Sequence, residues 1–439
     1  MSFLLFPWEF RLHRVVLATG GRRALALLLG LAALAAVAVG IANRMWAARA
    51  LSSWDRETLE RAVRLEGDNA GYRHRLGQWE EFSLSGGELR RALADYQRAT
   101  ELNPYESIYW LDLAEALLLA GDGAEAEAAL AHALQVDPHT PNTLWRAGNF
   151  WLRAGQPARA FPFFRQVIHA QPSLAAAVIQ ASHRALGDVN ILLREVVPRR
   201  PDLLVLYLRQ LVRFGEPVAA ARVWEALVAL GRPFRPREVL SYLDSLIRAH
   251  ELTAALQAWQ DLERLRLLSA ADAAPGELLH NPDLRAPILN GGFGWRVQRL
   301  PHVGVTLSAG RHGPQPPAVV IQFSGEDNLH YRNFFQYVPV EPATRYRFQA
   351  WLRAEEITTD SGLRLELADA YDARAPRAAS EQVVGTQGWR QVQVELVTGP
   401  HTRLLRAGIV RRASRRVENR IRGVVRATEF SLQAVGRGS

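Results

Sequence analysis

The sequence predicts a multidomain chain in three parts: a transmembrane helix, an all-α solenoid of helical hairpins, and an all-β antiparallel sandwich. Three patterns predict these parts. Residues 24–42 carry no charge, proline recurs every thirty-four residues through the middle of the chain, and after about residue 280 the apolar residues alternate with the period of a β-strand. A chain of 439 residues is also longer than one ordinary domain.

Composition excludes several kinds of chemistry. The chain has no cysteine, which excludes thiol nucleophiles, disulfides and thiolate metal sites. All 53 basic residues are arginine, so a lysine Schiff base and a phosphate-binding loop of the G-K-[ST] type are excluded as well. The formal net charge of +9 indicates an anionic partner, and it does not choose between lipid, polysaccharide and nucleic acid.

The uncharged run predicts a transmembrane helix over residues 24–43. Nineteen helical residues span roughly 28 Å, close to the ~30 Å hydrocarbon core of a bilayer. The flanking charges are Arg11, Arg14, Arg22 and Arg23 before the run, and Arg44, Arg49, Asp55, Glu57 and Glu60 after it. Because the more positive flank stays in the cytoplasm, we expect residues 1–23 to be cytoplasmic and the bulk of the chain to be extracytoplasmic.

Two other interpretations of this run remain open. Small residues at Gly40 and Ala42 could form the end of a cleaved signal peptide, although the run is longer than the usual 7–15 apolar residues. The other interpretation is a buried helix of a soluble protein. The run is apolar on every face, which is evidence against that interpretation.

The middle of the chain is repetitive. Pro104, Pro138 and Pro172 are spaced by thirty-four residues, and the same spacing aligns Ala92, Ala126 and Ala160, then Ala99, Ala133 and Val167. Proline ends a helix or begins a new one, and small residues let two helices approach closely. The pattern resembles the tetratricopeptide repeat, and we expect about six helical hairpins over residues 54–268.

The resemblance implies a groove, lined by the first helix of each hairpin, that binds peptides or partner proteins. The groove candidates are Tyr109, Asp112, Trp145, Arg146 and Asn149. Asp112 and Asn149 stand out because short polar side chains have little packing role among apolar helix residues. The alternative for each candidate is a solvated residue or one that packs between repeats.

The last part, residues 280–439, predicts an antiparallel β-sandwich because short strands alternate with clusters of Gly, Pro, Asn and Asp. Along the segment 345–353, every second residue is apolar, and we expect these residues in the core: Tyr346, Phe348, Ala350 and Leu352. The segments 290–295, 334–355, 388–396 and 423–435 resemble the galactose-binding-like jelly roll, on which carbohydrate-binding modules are built.

That resemblance implies a sugar site, which needs flat aromatic faces together with planar amides and guanidinium groups. The glycan-binding candidates are Tyr331, Gln336, Arg347, Gln349, Trp351 and Arg353. The alternative is that Trp351 covers a neighbouring helix or loop. Members of this family often hold a structural calcium with Asp residues of the last strand. The matching positions are Thr428 and Glu429, which weighs against calcium, and no cofactor is expected.

A cluster of arginines near the C-terminus is a candidate docking surface for a polyanion. Its members are Arg411, Arg412, Arg415 and Arg416. Arginine binds carboxylate and phosphate bidentately, which fits a uronic-acid polysaccharide or lipid headgroups. We expect no nucleic-acid partner because the predicted topology removes this part of the chain from the cytoplasm. The alternative is a solvated loop.

Together these patterns predict a non-enzymatic scaffold, anchored in the bacterial inner membrane and largely periplasmic. The repeats would bind partner proteins, and the sandwich would contact glycan. Proteins of similar layout act in exopolysaccharide or cell-surface assembly. One alternative is a purely structural interaction protein whose sandwich binds no sugar. The other is a cell-envelope glycan hydrolase, for which the sequence offers no paired carboxylates at a recognisable spacing.

Overall fold

The computed structural model describes residues 20–52, 54–82, 88–268, 274–308, 317–417 and 419–437. These residues form two compact units, Met1–Val178 and Ile179–Ser439. Residues 1–19 of the predicted cytoplasmic segment, with Arg11 and Arg14, lie outside the described residues.

The first unit begins with one long apolar helix, α1 (Gly20–Ala50). Its stretch Ala24–Arg49 is long and apolar enough to cross a membrane, although a signal sequence near an N-terminus passes the same test. The helix continues past the predicted end at residue 43. Near its end, Ala47 is buried against the first helices that follow, and the guanidinium of Arg61 lies 4.3 Å from the ring centre of Trp46. The apolar helix is therefore packed onto the helical part rather than joined to it by a loose linker.

Seven helices follow α1 in the described part of the first unit. They are α2 (Arg56–Leu65), α3 (Ala70–Phe82), α4 (Leu89–Leu102), α5 (Ser107–Ala120), α6 (Gly123–Val136), α7 (Pro141–Arg153) and α8 (Pro157–Ala170). The pairs α3/α4, α5/α6 and α7/α8 pack as hairpins. This arrangement confirms the predicted run of helical hairpins.

The three recurring prolines end the second helix of each hairpin in the same way. The residues before them are Asn103 (φ −140°, ψ 87°), Asp137 (φ −139°, ψ 84°) and Gln171 (φ −140°, ψ 84°). Each donates its backbone N–H to the carbonyl four residues earlier, which closes the helix. A proline ring disfavours helical geometry in the residue before it, so the same extended conformation recurs every thirty-four residues.

In two hairpins, a glycine of the first helix packs against a large aromatic ring of the second helix. A Cβ added to Gly148 of α7 would lie 2.3 Å from a ring carbon of Phe164 on α8. A Cβ added to Gly77 of α3 would lie 2.9 Å from the ring of Tyr96 on α4. Both rings are fully buried, so the missing side chain sets the distance between the paired helices.

The helical pattern continues into the second unit. Its helices are α9 (Ala175–Leu186), which crosses the division between the units, α10 (Val189–Glu195), α11 (Pro201–Phe214), α12 (Pro217–Ala229), α13 (Leu240–Arg248) and α14 (Leu252–Arg264). The pairs α11/α12 and α13/α14 pack as hairpins. Gly215, with φ 74°, ends α11 in a left-handed conformation that glycine adopts without steric cost.

Ten strands in the described residues form the sandwich. They are β1 (Arg296–Val297), β2 (Val303–Ser308), β3 (Ala318–Ser324), β4 (Tyr331–Pro339), β5 (Thr344–Ile357), β6 (Arg364–Asp369), β7 (Arg377–Ala379), β8 (Gly385–Val397), β9 (Leu404–Arg411) and β10 (Arg422–Arg437). The front sheet has the order β1-β4-β9-β6-β7 and the back sheet the order β2-β3-β10-β5-β8, with antiparallel pairing. The predicted antiparallel sandwich is thereby confirmed.

The core of the sandwich lies between the two sheets. The ring of Trp295 stacks on Phe334 at 4.6 Å between centroids and contacts Phe430 at 4.7 Å. The inward residues predicted for β5 are all buried, as expected from the alternation: Tyr346, Phe348, Ala350 and Leu352. The opposite face of β5 is thereby left to solvent.

Candidate functional site

A cluster of polar side chains connects the first helices of three consecutive hairpins, α3, α5 and α7. The polar cluster consists of His74, Gln78, Asp112, Glu115 and Arg146. Oδ2 of Asp112 accepts hydrogen bonds from Nε2 of His74 (2.6 Å) and Nε2 of Gln78 (3.0 Å). Arg146 forms an ion pair with Asp112 and donates from Nε to Glu115 at 3.0 Å. Each carboxylate of the cluster therefore has a partner from a neighbouring hairpin.

Burial makes these pairs electrostatically significant. Asp112 is only 8% exposed, and burial alone would raise the pKa of its carboxyl group. The hydrogen bond from His74 and the charge of Arg146 outweigh burial and hold that pKa below its ordinary value. Burial would likewise lower the pKa of Arg146, but the charges of Asp112 and Glu115 raise it. The cluster is thus a set of charged groups that stabilise one another.

The five groove candidates divide into two groups. Asp112 and Arg146 are engaged in the polar cluster. Tyr109 lies beside it, with its ring 4.6 Å from that of His74, and is half-buried. Trp145 and Asn149 are also half-buried, and the side-chain amide of Asn149 donates to the carbonyl of Trp145 at 2.8 Å. The polar cluster is therefore surrounded by three partly exposed side chains, those of Tyr109, Trp145 and Asn149.

Sequence reasoning missed His74, Gln78 and Glu115. A signal for one of them was present, because Gln78, Asp112 and Arg146 follow one another at the repeat period of thirty-four residues. The participation of His74 and Glu115 depends on how adjacent hairpins stack, which a periodic pattern does not specify.

The outward face of β5 carries the second candidate surface. Trp351 is 37% exposed, and it pairs across the back sheet with Gln391 of β8. Gln349 pairs with Gln393 in the same way. We call Gln349, Trp351, Gln391 and Gln393 the back-sheet patch. Among the described residues, none provides a hydrogen bond to the three glutamine side chains. The patch thus combines a partly exposed indole with planar amides that have no hydrogen-bond partner among the described residues.

The other glycan candidates lie in different environments. Arg347 and Arg353 flank the back-sheet patch, where Arg347 pairs with Glu395 at 2.7 Å and Arg353 with Glu355 at 3.0 Å. Tyr331 and Gln336 lie on β4 of the front sheet and have no exposed surface. Gln336 accepts from the backbone N–H of His280 (3.0 Å) and donates to its carbonyl (2.8 Å). Tyr331 and Gln336 are therefore structural, which corrects their prediction as ligand-binding residues.

The arginine candidates also separate. Arg411 is fully buried and donates to the carbonyls of Ser361 (2.9 Å) and Asn419 (3.1 Å). Because it has no surface to offer, its prediction as a docking residue is corrected. Arg412 and Arg415 are exposed, and Arg416 pairs with Asp360 at 3.2 Å while remaining largely exposed.

A cleft of about 420 Å³ separates α13 from the front sheet. Its floor is the ion pair between Arg296 and Asp244, at 2.5 Å, beside the ring of Tyr337. One wall is formed by His250 and Tyr371, whose rings stack at 4.0 Å. Tyr371 also donates its hydroxyl to the carbonyl of Ile247 at 2.8 Å, which holds the wall against α13. Sequence reasoning did not identify this cleft, because its residues are separated by up to 127 positions.

Across the part of the chain that the structure describes, no three His, Asp or Glu side chains are grouped so that they could hold a metal ion. Thr428, one of the two positions considered for calcium, is buried and donates its hydroxyl to the carbonyl of Pro317 at 2.7 Å.

Part of the helical region matches a known family. Residues 83–147 match the family model described as tetratricopeptide repeat. No curated protein matches the chain. Among solved structures, the chain is similar to MamA, with 21% identity, 27% of this chain and 68% of that one covered, and a TM-score of 0.24. YrrB, a tetratricopeptide repeat protein with an unusual peptide-binding site, gives 13% identity, coverages of 49% and 94%, and a TM-score of 0.26.

PilF of Pseudomonas aeruginosa gives 17% identity, coverages of 51% and 91%, and a TM-score of 0.26. At these identities and scores, the structural likenesses carry no statement about ligands. The family match and the observed hairpins agree with each other. Residues 83–147 thus match the tetratricopeptide repeat and the neighbouring helices pair as hairpins in the same way, and repeats of this type imply a protein-interaction scaffold.

Proposed function

We propose that this protein is a non-enzymatic, membrane-anchored scaffold whose repeats bind a partner protein around the polar cluster. The observation that carries the proposal is the half-exposed set of Tyr109, Trp145 and Asn149 on consecutive first helices. Aromatic side chains of this kind contribute much of the binding energy at protein interfaces. The ion pair of Asp112 and Arg146 holds α5 and α7, which carry these three side chains, in place. Binding a partner therefore costs little conformational entropy in the helices.

The anchor in this proposal is α1, at residues 24–43, in a bacterial inner membrane with the remainder of the chain in the periplasm. Support comes from its exposed apolar side chains and from the arginine-rich flank that precedes it. The packing of Ala47 against the first repeat helices joins the end of the proposed anchor directly to the repeats.

The sandwich is proposed to contact a neutral glycan through the back-sheet patch. Trp351 supplies an aromatic face for the apolar side of a pyranose ring, and the neighbouring glutamine amides supply donors and acceptors for hydroxyl groups. The layout of anchor, repeats and jelly roll is similar to that of proteins in bacterial exopolysaccharide and cell-surface assembly, and this is the setting that we propose.

The repeat interface can be tested by site-specific photo-crosslinking in cells that express the full chain. A photoreactive residue at Trp145 should give one discrete crosslinked partner. The same residue at Glu125, an exposed position on the second helix α6, should give none. Equal crosslinking from both positions, or none from Trp145, would contradict a partner site on the first helices.

The glycan contact has a separate test. The full chain in detergent should retain a neutral β-glucan on an affinity gel, and Trp351→Ala should abolish that retention without affecting the crosslink at Trp145. Tyr105→Ala is the control, because Tyr105 is the more exposed aromatic at 85% and lies in the first unit. If both variants behave like the unchanged protein, the sandwich is a structural part of the scaffold.

A further inference from the structure

The outward face of the front sheet carries a second group of arginines. Arg332 of β4, Arg406 of β9 and Arg364 of β6 lie on three adjacent strands, and Arg412 directly follows β9. We call these four residues the front-sheet arginine cluster. One carboxylate lies among them, that of Glu366 on β6, which is 6% exposed.

Negative charge is scarce in this cluster. Glu366 accepts from Arg332 at 3.1 Å. Within the described ranges, the other three arginines have no carboxylate at salt-bridge distance. Arg364 donates instead to the side-chain amide oxygen of Gln382 at 2.6 Å, and Arg406 to the backbone carbonyl of Arg332. The guanidinium groups of Arg364 and Arg406 thus donate to neutral oxygen atoms, and an anion would bind them more strongly.

The arginines also repel one another. Burial and the charge of Arg412 lower the pKa of Arg364, and burial and the charge of Arg332 lower the pKa of Arg406. The back sheet shows the opposite balance. There, Glu395 lies between Arg345 and Arg347 and Glu355 between Arg353 and Arg426. On the front sheet, by contrast, Glu366 is paired with Arg332, and within the described ranges Arg364, Arg406 and Arg412 have no carboxylate at salt-bridge distance.

The surroundings favour a sugar polymer among polyanions. Among the described residues, no exposed large hydrophobic side chain lies on β4, β6 or β9, which disfavours a lipid surface. Nucleic-acid bases need open aromatic faces for stacking, whereas the guanidinium of Arg406 covers the ring of Phe335 at 4.2 Å. Phe335 also lines the cleft beside α13, where the exposed amide of Gln298 is suited to hydroxyl groups.

We infer that the front-sheet arginine cluster binds a carboxylate-bearing polysaccharide, with guanidinium groups on adjacent strands receiving successive uronate groups and the cleft beside α13 accommodating one end of the bound chain. Guanidinium and carboxylate groups match each other bidentately, and the half-buried Arg332, Arg364 and Arg406 present their guanidinium groups from adjacent strands. The site is separate from the back-sheet patch and from the repeats, so it does not depend on the function proposed for either.

The test uses the full chain in detergent and polygalacturonate as the probe, at a salt concentration of about 150 mM, where exposed charges are screened. The double variant Arg364→Gln/Arg412→Gln should raise the dissociation constant about tenfold or more. The matched control is Arg200→Gln/Arg222→Gln. It removes the same charge from two exposed positions of the second unit, one just before α11 and one on α12, and should change binding less than twofold. Arg412→Gln alone, at an exposed position, should weaken binding even if the double variant folds poorly.

Several outcomes would overturn the inference. The first is that polygalacturonate does not bind, and the second is that the two double variants weaken its binding equally. The third is that polyphosphate or single-stranded DNA binds at least as tightly as polygalacturonate. Capture by vesicles containing anionic lipid, lost in Arg364→Gln/Arg412→Gln, would instead identify a membrane surface. Retention of neutral glucan and crosslinking at Trp145 are measured on the same variants, so a failure here is distinguishable from a failure of the scaffold function.

Discussion

Asp112 on α5 and Arg146 on α7, thirty-four residues apart, form an ion pair that is largely removed from solvent. The spacing equals the repeat period, so equivalent positions of two successive hairpins meet. The interaction joins one repeat to the next through side chains of opposite charge. It therefore fixes the register in which neighbouring hairpins stack, in addition to the apolar contacts between them.

Asp112→Asn should lower the free energy of unfolding of the first unit by about 3 kcal/mol, because it leaves Arg146 buried without its main counter-ion. The measurement is urea unfolding followed by circular dichroism. The control is Glu101→Gln, which breaks a solvent-exposed pair with Arg98 and should cost less than about 0.5 kcal/mol. Similar losses in both variants would mean that the Asp112 pair contributes no more than a surface pair.

Gly148→Ala should destabilise the first unit by about 2 kcal/mol, since the new Cβ would overlap the ring of Phe164. Gly123→Ala is the matched control on α6. A Cβ there meets nothing within 4 Å, so this variant should be neutral or stabilising by up to about 1 kcal/mol. Thermal unfolding of the two variants gives the comparison. A second change, Phe164→Leu, should restore part of the loss in Gly148→Ala and none in Gly123→Ala.

The pH dependence of stability should show the titration of Glu80 on α3. This carboxyl group is 4% exposed, and burial together with the charges of Asp95 and Glu88 raises its pKa to about 7. The folded state therefore binds the proton more tightly than the unfolded state, whose ordinary value is 4.5. The contribution of Glu80 to the free energy of unfolding is therefore fully present below the pKa of the unfolded state, and it is lost as the pH rises through 7.

Glu80→Gln should accordingly be more stable than the unchanged protein at pH 8, by about 1–2 kcal/mol, and similar to it at pH 4. Unfolding midpoints measured across this range test the prediction. Glu57→Gln, at an exposed position of α2, should follow the unchanged protein at every pH. An unchanged pH profile in Glu80→Gln would show that the carboxylate is solvated in solution.

Arg411→Gln should destabilise the sandwich by about 2–4 kcal/mol, because the carbonyls of Ser361 and Asn419 would lose their donor inside the protein. Arg415→Gln, at an exposed position only four residues away, should change stability by less than about 0.5 kcal/mol. Hydrogen–deuterium exchange of the backbone amides of β9, followed by mass spectrometry, provides the measurement. Equal stability of the two variants would mean that Arg411 is replaceable by water.

Alternation along the strands was a good guide to the core and a poor guide to binding residues. On β5 it separated buried Phe348 from exposed Trp351 correctly. On β4 the register shifts between Tyr331 and Phe334, and the polar Gln336 points inward to satisfy the backbone of His280. A polar residue in an inward position therefore served a neighbouring backbone segment, which sequence patterning alone does not distinguish from a ligand site.

The sequence by itself determined the helical hairpins and the sandwich, because their causes are local. A proline disfavours helical geometry in the residue before it, and alternating apolar residues give a strand one buried face. Only the tertiary structure decided which charges are paired. Asp112 and Arg146 neutralise each other across two hairpins, whereas Arg364, Arg406 and Arg412 meet on one sheet face with little negative charge. The physical reason is that electrostatic energy depends on distance and burial in space, which residues remote in the chain acquire only on folding.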